Sequence, residues 1–256
     1  MILTRSSAPS SLGSNEFKNR ASVFCLALLL SLTASAAVFA SPAATAVPAV
    51  LAQGAEGLSP KVLAMALNAV ASARDRGITG KSDLLTVIDY SLPSSEPRLW
   101  VLDLAHGKVI FHELVAHGAG SGAKFATHFS NVDDSRATSL GLFLTGDTYE
   151  GGNGYSLKLK GLDEGINDRA EERHIVIHGA WYVSADHARQ YGMLGRSWGC
   201  PALPQADAKP VIDAIKGGSF VFAYSAAAPA TVVHASLASG PARTARSRGT
   251  VTSSSR

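Results

Sequence analysis

The chain has 256 residues, enough for one or two domains, and its 46% hydrophobic content can build a sizeable core. Charged residues make up only 17% and the net charge is +3. No run of Lys and Arg interleaved with aromatics occurs, so nucleic acid is not an expected partner. The first feature in chain order is a basic segment (Arg5, Lys18, Arg20) followed by Ala21 to Ala40, an uncharged run with the apolar stretch Leu26-Ala27-Leu28-Leu29-Leu30. Val38-Phe39-Ala40 then offers small residues at the positions a signal peptidase needs, which predicts a cleaved signal peptide over 1–40. The alternative is an uncleaved anchor, since the run is just long enough to span a bilayer. On either reading the remainder is expected outside the cytoplasm, exported to the periplasm or cell envelope. No later segment reads as a membrane span.

Residues 41–58, rich in Ala, Pro and Val, read as a linker. A helix is predicted next, with Ser59 as N-cap, Pro60 in the first position, an apolar face of Val62, Leu63, Ala66, Leu67 and Val70, and Gly77 at its end. Strands are predicted over Leu84 to Leu92, Leu99 to Leu102 and Val109 to Phe111, the last two joined as a hairpin through Ala105-His106-Gly107-Lys108. Gly118, Gly120 and Gly122 mark a flexible loop. Short strands follow at Leu140 to Thr145 and Tyr155 to Leu159, around Gly151-Gly152-Asn153-Gly154. Another is expected at Arg173 to His178. Asp207 is the expected cap of a short helix with Pro210 in its first turn and Val211, Ile212 and Ile215 on its apolar face. Ser219 to Tyr224 is the last strand. Residues 226–256 are Ala, Ser, Thr and Arg without apolar periodicity and read as a disordered basic tail. One structured domain, 59–225, is expected, mainly β (α+β). Nothing sets an oligomeric state.

The two cysteines are Cys25, inside the signal segment, and Cys200. After processing Cys200 would stand alone in an oxidising compartment. That points to a reactive thiol or an intermolecular disulfide, with a buried inert thiol as the bland alternative. A thiol attacks a carbonyl as thiolate, so it needs a base or a positive field beside it. His178 ends an apolar strand and is followed by Gly179, which places it rigidly enough to face a returning loop. That loop is Arg196-Ser197-Trp198-Gly199-Cys200-Pro201. Arg196 and the following helix N-terminus supply positive potential, and Gly199 frees the backbone so that N–H groups around Gly199 and Cys200 can face an oxyanion.

These residues, together with Phe129-Ser130-Asn131, Ser139-Leu140-Gly141, Leu144-Thr145-Gly146, Tyr149, Gly152, Gly154, Ser156-Leu157, Gly161-Leu162, Asn167-Asp168, His178-Gly179-Ala180, Tyr182-Val183 and Gly195-Arg196-Ser197-x-Gly199-Cys200-Pro201-Ala202, carry a resemblance. The domain is similar to the YkuD-type L,D-transpeptidase catalytic domain, and within it to the murein L,D-transpeptidase subgroup. The resemblance implies a β-sandwich with an N-terminal helix and a short helix after the cysteine loop. It also implies that Cys200 attacks the third-residue carbonyl of a peptidoglycan stem tetrapeptide and releases D-alanine. An amine (cross-linking or exchange) or water (carboxypeptidase action) then resolves the thioester. His178 is the implied base, the Gly179 carbonyl orients its ring, and Gly199 and Cys200 form the oxyanion hole; no metal or organic cofactor is implied. Two positions depart from the broad pattern: Trp198 stands where many members have His, and Ala202 where many have Arg. The substrate contacts are therefore expected from Arg196, Ser197, Trp198, Tyr155 and Asn153.

Other readings are weighed on the same residues. His174 and His178, with Cys200 or His187, could make a zinc site. His117 and His128 could line the cleft or be core and surface residues. Trp181 and Tyr182 are expected to pack, and Asp168 and Arg169 to form a loop ion pair. A cysteine phosphatase would need Arg where Ala206 stands, papain-like hydrolases place Cys before His, and sortases use a longer gap and a downstream Arg. The competing class is a non-catalytic peptidoglycan-binding or structural envelope protein with an inert thiol.

Overall fold

The computed structural model describes Leu51 and residues 54–228; the signal segment, Cys25 and most of the tail lie outside the described residues. Helix α1 (Pro60–Asp75) begins where Pro is tolerated, at a position whose N–H has no helical partner. It buries Val62, Leu63, Met65, Ala66, Ala69, Val70 and Ala73. Gly77 ends it in a left-handed conformation (φ 82°), and Ile78 N–H closes back on Ala73 O at 3.0 Å.

Eight strands follow: β1 (Leu84–Asp89), β2 (Leu99–Asp103), β3 (Lys108–Glu113), β4 (Gly141–Gly151), β5 (Gly154–Gly161), β6 (Val176–Ala180), β7 (Ala202–Pro204) and β8 (Phe220–Tyr224). They form one hydrogen-bonded sheet in the order β3-β2-β1-β8-β4-β5-β6-β7. The β1–β8 and β6–β7 pairs are parallel and the others antiparallel. Side chains alternate across a strand. Leu85, Val87, Trp100, Leu102, Phe220 and Phe222 therefore pack with α1 in one core. Their neighbours Ile88, Leu99, Val101, Val221 and Ala223 join a second core with Leu157, Leu159 and Ile177. Helix α3 (Gln205–Ile215) closes that second core with Val211, Ile212 and Ile215. Burial on both faces explains why β1, β2 and β8 read as continuous apolar runs. The mainly β fold with a leading helix and a short helix after the cysteine loop is as expected.

Several boundaries differ from the sequence reading, each for a local reason. Leu51, Ala55 and Leu58, assigned to the linker by composition, are buried with α1. The buried indole of Trp100 donates to Glu56 O at 3.0 Å, tying this segment down. β6 starts at Val176 rather than Arg173, because His174 N–H and Ile175 N–H are spent on Glu171 O and Ala170 O in a turn. β4 continues past its apolar stretch as a polar hairpin arm, with a register shift between Thr145 and Thr148. Pro210 lies inside α3, not in its first turn, because the helix begins at Gln205 ahead of Asp207. Helix α2 (Ala185–Tyr191) was not expected; it buries only Ala188, so it has no apolar stripe to read. Its signals are local: Ser184 Oγ accepts from His187 N–H, and Gly192 ends it at φ 73°.

Trp100 joins the sheet to both α1 and the preceding segment. Trp100→Ala should cost about 3–5 kcal/mol of unfolding free energy, read as a lower denaturant midpoint in equilibrium unfolding.

Candidate active site

Cys200 lies in the loop between α2 and β7, and that loop is built on a backbone template. Ala116 pairs with Ala202 and Gly118 with Ser197. Ser197 N–H donates to His117 O at 3.1 Å, and Ala119 N–H to Ser197 O at 2.8 Å. Thr138 Oγ1 accepts from Gly118 N–H (2.9 Å) and donates to Gly199 O (3.3 Å), so one hydroxyl joins the two strands of this crossing. Ser197 Oγ donates to Cys200 O at 2.6 Å and accepts from Gly199 N–H at 3.2 Å. The glycines read as a flexible loop are instead sites of close approach. A Cβ on Gly118 would meet Gly199 Cα at 2.8 Å as well as Arg136 O, and one on Gly199 would meet Ala137 O at 2.9 Å. Gly199 also has φ 120°, outside the range of ordinary side-chain-bearing residues.

The sulfur of Cys200 is buried and, among the described residues, is in no disulfide. It accepts from Val176 N–H at 3.5 Å and donates to His174 O at 3.6 Å. Burial pushes its pKa above the ordinary thiol value; the Val176 N–H and the charge of Arg173 pull the other way without overcoming it. The resting group is thus a thiol. His178, in the middle of β6 and opposite Ser156 of β5, is also buried. Its Nδ1 donates to Gly179 O at 3.0 Å. A carbonyl can only accept, so the neutral ring carries its proton on Nδ1 and leaves the Nε2 lone pair as the base. Burial lowers the His178 pKa, and the Gly179 carbonyl partly offsets this. In this state the hydrogen-bond partners of the sulfur are main-chain groups beside β6, not the imidazole.

A cavity of about 380 Å3 opens above the sulfur, lined by Asp133, Asp134, Arg136, Asn153, Glu172, Arg173, His174, Trp198 and Cys200. Among the described residues, the non-glycine positions with left-handed backbone are Asp134 (φ 54°), Arg136 (φ 51°) and His174 (φ 55°). All three line this cavity. Such backbone costs energy and gathers at functional sites, where the surroundings hold it in place. A second cavity of about 480 Å3, lined by Tyr149, Lys158, Leu159, Glu171, His174, Ile175 and Val176, shares His174 with the first.

The residues singled out from sequence are distributed unevenly. Asn153 and the exposed Trp198 line the cysteine cavity. Arg196 does not: its Nη1 donates to Gly122 O at 3.1 Å. Ser197 is buried inside the loop it braces, and Tyr155 donates its hydroxyl to Asp213 at 2.7 Å on α3. His117 is a core residue whose Nδ1 lies 2.8 Å from the Arg98 guanidinium; burial and that cation push its pKa down to about 4. His128 is exposed. His187 sits on α2 with Nδ1 against Met193 O, and among the described residues no three His, Cys, Asp or Glu side chains gather as a metal site. Trp181 is exposed rather than packed, edge-on to Tyr182 and His187. Arg169 pairs with Glu172 at 2.8 Å, while Asp168 accepts from Asn131 and Gly165.

With this geometry in view, the family model described as L,D-transpeptidase catalytic domain matches residues 54–224. The chain belongs to this L,D-transpeptidase family. No curated protein matches. Solved structures similar to the chain include an L,D-transpeptidase from Mycobacterium smegmatis, at 14% identity over 56% of this chain and 59% of that one, TM-score 0.33. Another, from Stackebrandtia nassauensis, is 18% identical over 63% of this chain and 65% of that one, TM-score 0.35. A third, from Mycobacterium tuberculosis H37Rv, is 16% identical over 56% and 57%, TM-score 0.33. The chain thus spans less than two thirds of the length of these neighbours, and the likenesses are too distant to bear on its site.

Within this L,D-transpeptidase domain, both arginines of the cysteine cavity, and its acidic residues Asp133, Asp134 and Glu172, carry no sequence signal of a site. Arg173 was absorbed into an expected strand, and Arg136 sits in a Ser- and Asp-rich loop with no periodicity. The nearest to a signal for Arg173 is its place just ahead of His174 and the apolar run that leads to His178. The crossing at Gly118 yields a test. Gly118→Ala should cost about 1–3 kcal/mol through overpacking, measured by thermal unfolding, and should slow alkylation of Cys200 because the added methyl pushes on Gly199.

Proposed function

We propose that the chain is a peptidoglycan L,D-transpeptidase with Cys200 as nucleophile and His178 as its base. The observation that carries this reading is the meeting of two features in an L,D-transpeptidase domain. One is a thiol, free among the described residues, that lines a polar cavity with left-handed backbone at three of its positions. The other is a buried histidine on the adjoining strand, with its tautomer set by Gly179 O. Substrate binding turns the Sγ–H from His174 O toward Nε2 of His178, which takes the proton. The sulfur attacks the third-residue carbonyl of a stem tetrapeptide. The negative oxygen is met by the N–H of Cys200 and by that of Gly199, which exchanges its 3.2 Å bond to Ser197 Oγ for the stronger acceptor. The C–N bond to D-alanine breaks as His178 returns the proton to the leaving amine, and a thioester remains. An incoming amine loses a proton to His178, forms the new C–N bond and expels the thiolate, which regains the proton. Water in place of the amine gives carboxypeptidase action. Export follows from the same reading, since stem peptides lie outside the cytoplasm and residues 1–40 have the composition of a signal. Among the described residues no helix is long and apolar enough to cross a membrane.

Arg136 replaces Arg196 as the carboxylate anchor in this proposal. Its guanidinium lies 4.6 Å from the centre of the Trp198 ring and faces the cysteine cavity. An Arg fork stacked on an indole keeps its in-plane N–H donors for a carboxylate.

A carbapenem should add one acyl mass to the wild-type chain in intact-mass spectrometry and none to Cys200→Ala. An inert-thiol envelope protein would show no adduct on either. His178→Ala should slow acylation by roughly a hundredfold or more without unfolding the domain. Because burial lowers the His178 pKa, the acid limb of the wild-type acylation profile should lie below the usual histidine value of 6.5. Arg136→Ala should raise KM for tetrapeptide stems about tenfold, consistent with loss of a charged hydrogen bond, with little change in kcat.

A further inference from the structure

Arg173 is anchored unusually for a surface-near cation. Nη1 donates to Ser130 O (2.7 Å) and Ser139 Oγ (2.6 Å), and Nη2 to Ser135 Oγ (3.1 Å) and Ala137 O (2.9 Å). These account for four of the five guanidinium donors. All four acceptors are neutral and belong to a single loop, the one whose Ala137 and Thr138 contact Gly199. The fifth donor, Nε–H, is buried and has no hydrogen-bond partner among the described residues. The side chain lines the cysteine cavity. A positive charge is therefore clamped in a fixed place beside the sulfur, and none of its hydrogen-bond acceptors carries a compensating charge.

We propose that Arg173 is the counter-charge of the Cys200 thiolate, the fixed cation that lets the buried sulfur give its proton to His178. Among the described residues, the other group that lowers the sulfur's pKa is the Val176 N–H, and it does not offset burial. The electrostatic coupling between Arg173 and Cys200 favours the charged form of each. The other charged or titratable groups around the cavity are Asp133, Asp134, Arg136, Glu172 and His174. Glu172 is engaged by Arg169. Asp133 is exposed and makes no hydrogen bond to Arg173, although its charge reaches it. His178 faces from β6. Tyr90 and Tyr182 sense the sulfur from the core side; both have raised pKa values and stay neutral across the working range. Arg173 is thus a positioning residue that acts through Cys200, and the inference rests on Cys200 being the nucleophile.

The test is the pH dependence of iodoacetamide alkylation of Cys200 in the full chain, followed by intact mass. Arg173→Gln keeps hydrogen-bonding capacity without charge, and Arg173→Lys keeps charge without the fork. The Gln variant should shift the profile to higher pH by at least one unit, an approximately tenfold slower alkylation at neutral pH. The Lys variant should stay within about threefold of wild type, since the charge remains. A Gln variant with a native circular dichroism spectrum and an unshifted profile would overturn the proposal. So would a Lys variant shifted as far as Gln, because Arg173 would then be only a loop clamp. Should Gln fail to fold, the Lys profile alone decides: wild-type-like supports the proposal, shifted refutes it. Alkylation needs no turnover, so a wild-type chain that ignores carbapenems and stems but shows the Arg173 shift would sink the transpeptidase reading and leave this one standing.

Discussion

Two backbones cross at Gly118 and Gly199 with no room for a Cβ on either, and the site depends on that contact. The crossing lets the segment around His117 act as a template for the cysteine loop, with Ser197 bonded to it in both directions. A loop carrying a nucleophile would ordinarily be mobile. Here Ser197, Gly199 and Cys200 are tied by hydrogen bonds to the template, to Thr138 and to Ser197 Oγ, so the loop is held at several points. The same crossing brings the loop at 130–139 against Gly199, and with it the cavity wall that holds Arg136 and Arg173.

Rigidity alone would leave a poor nucleophile, because a sulfur in a dry frame resists ionisation. The structure sets opposing effects at one atom. Burial raises the thiol pKa, while a main-chain N–H and a clamped guanidinium lower it, and burial dominates at rest. Burial also lowers the pKa of His178, so the imidazole is neutral while the thiol is still protonated. In the proposed reaction such a neutral pair moves its proton at the moment of attack rather than keeping a charged pair in waiting. The left-handed backbone at His174 supports the arrangement, since its carbonyl holds the resting S–H beside the cavity.

Much of the fold was legible because it rests on local chemistry. The helix at Pro60, the runs that became β1, β2 and β8, and the hairpin turn at Gly107 each carry their own period or punctuation. The residues proposed for the chemistry, Cys200, His178 and Gly179, stand out in the sequence as a lone thiol and as a histidine and glycine following an apolar run, although His178 lies in the middle of β6 rather than at its end. Elements without a pattern were not. Helix α2 buries a single alanine, β7 is three residues long, and the polar arm of β4 is held by its partner strand rather than by its own alternation. The glycines at 118–122 showed the limit of composition. Glycine reads as freedom, but at Gly118 it is there because another backbone occupies the space a methyl would need.

The sequence by itself singled out the residues proposed for the chemistry, because a lone thiol, a histidine and its following glycine lie within one short stretch of chain. It also determined the helix and strand types, which follow from periodicity and caps. Only the tertiary structure decided which cations line the cysteine cavity. Arg196, three residues after which the glycine of the motif stands, turns away to Gly122 O, while Arg173 and Arg136, distant in sequence from the cysteine, come to the cavity. The reason is physical: a side chain's direction depends on which backbone groups remain to bind it, and those are supplied by loops that pattern and propensity do not place.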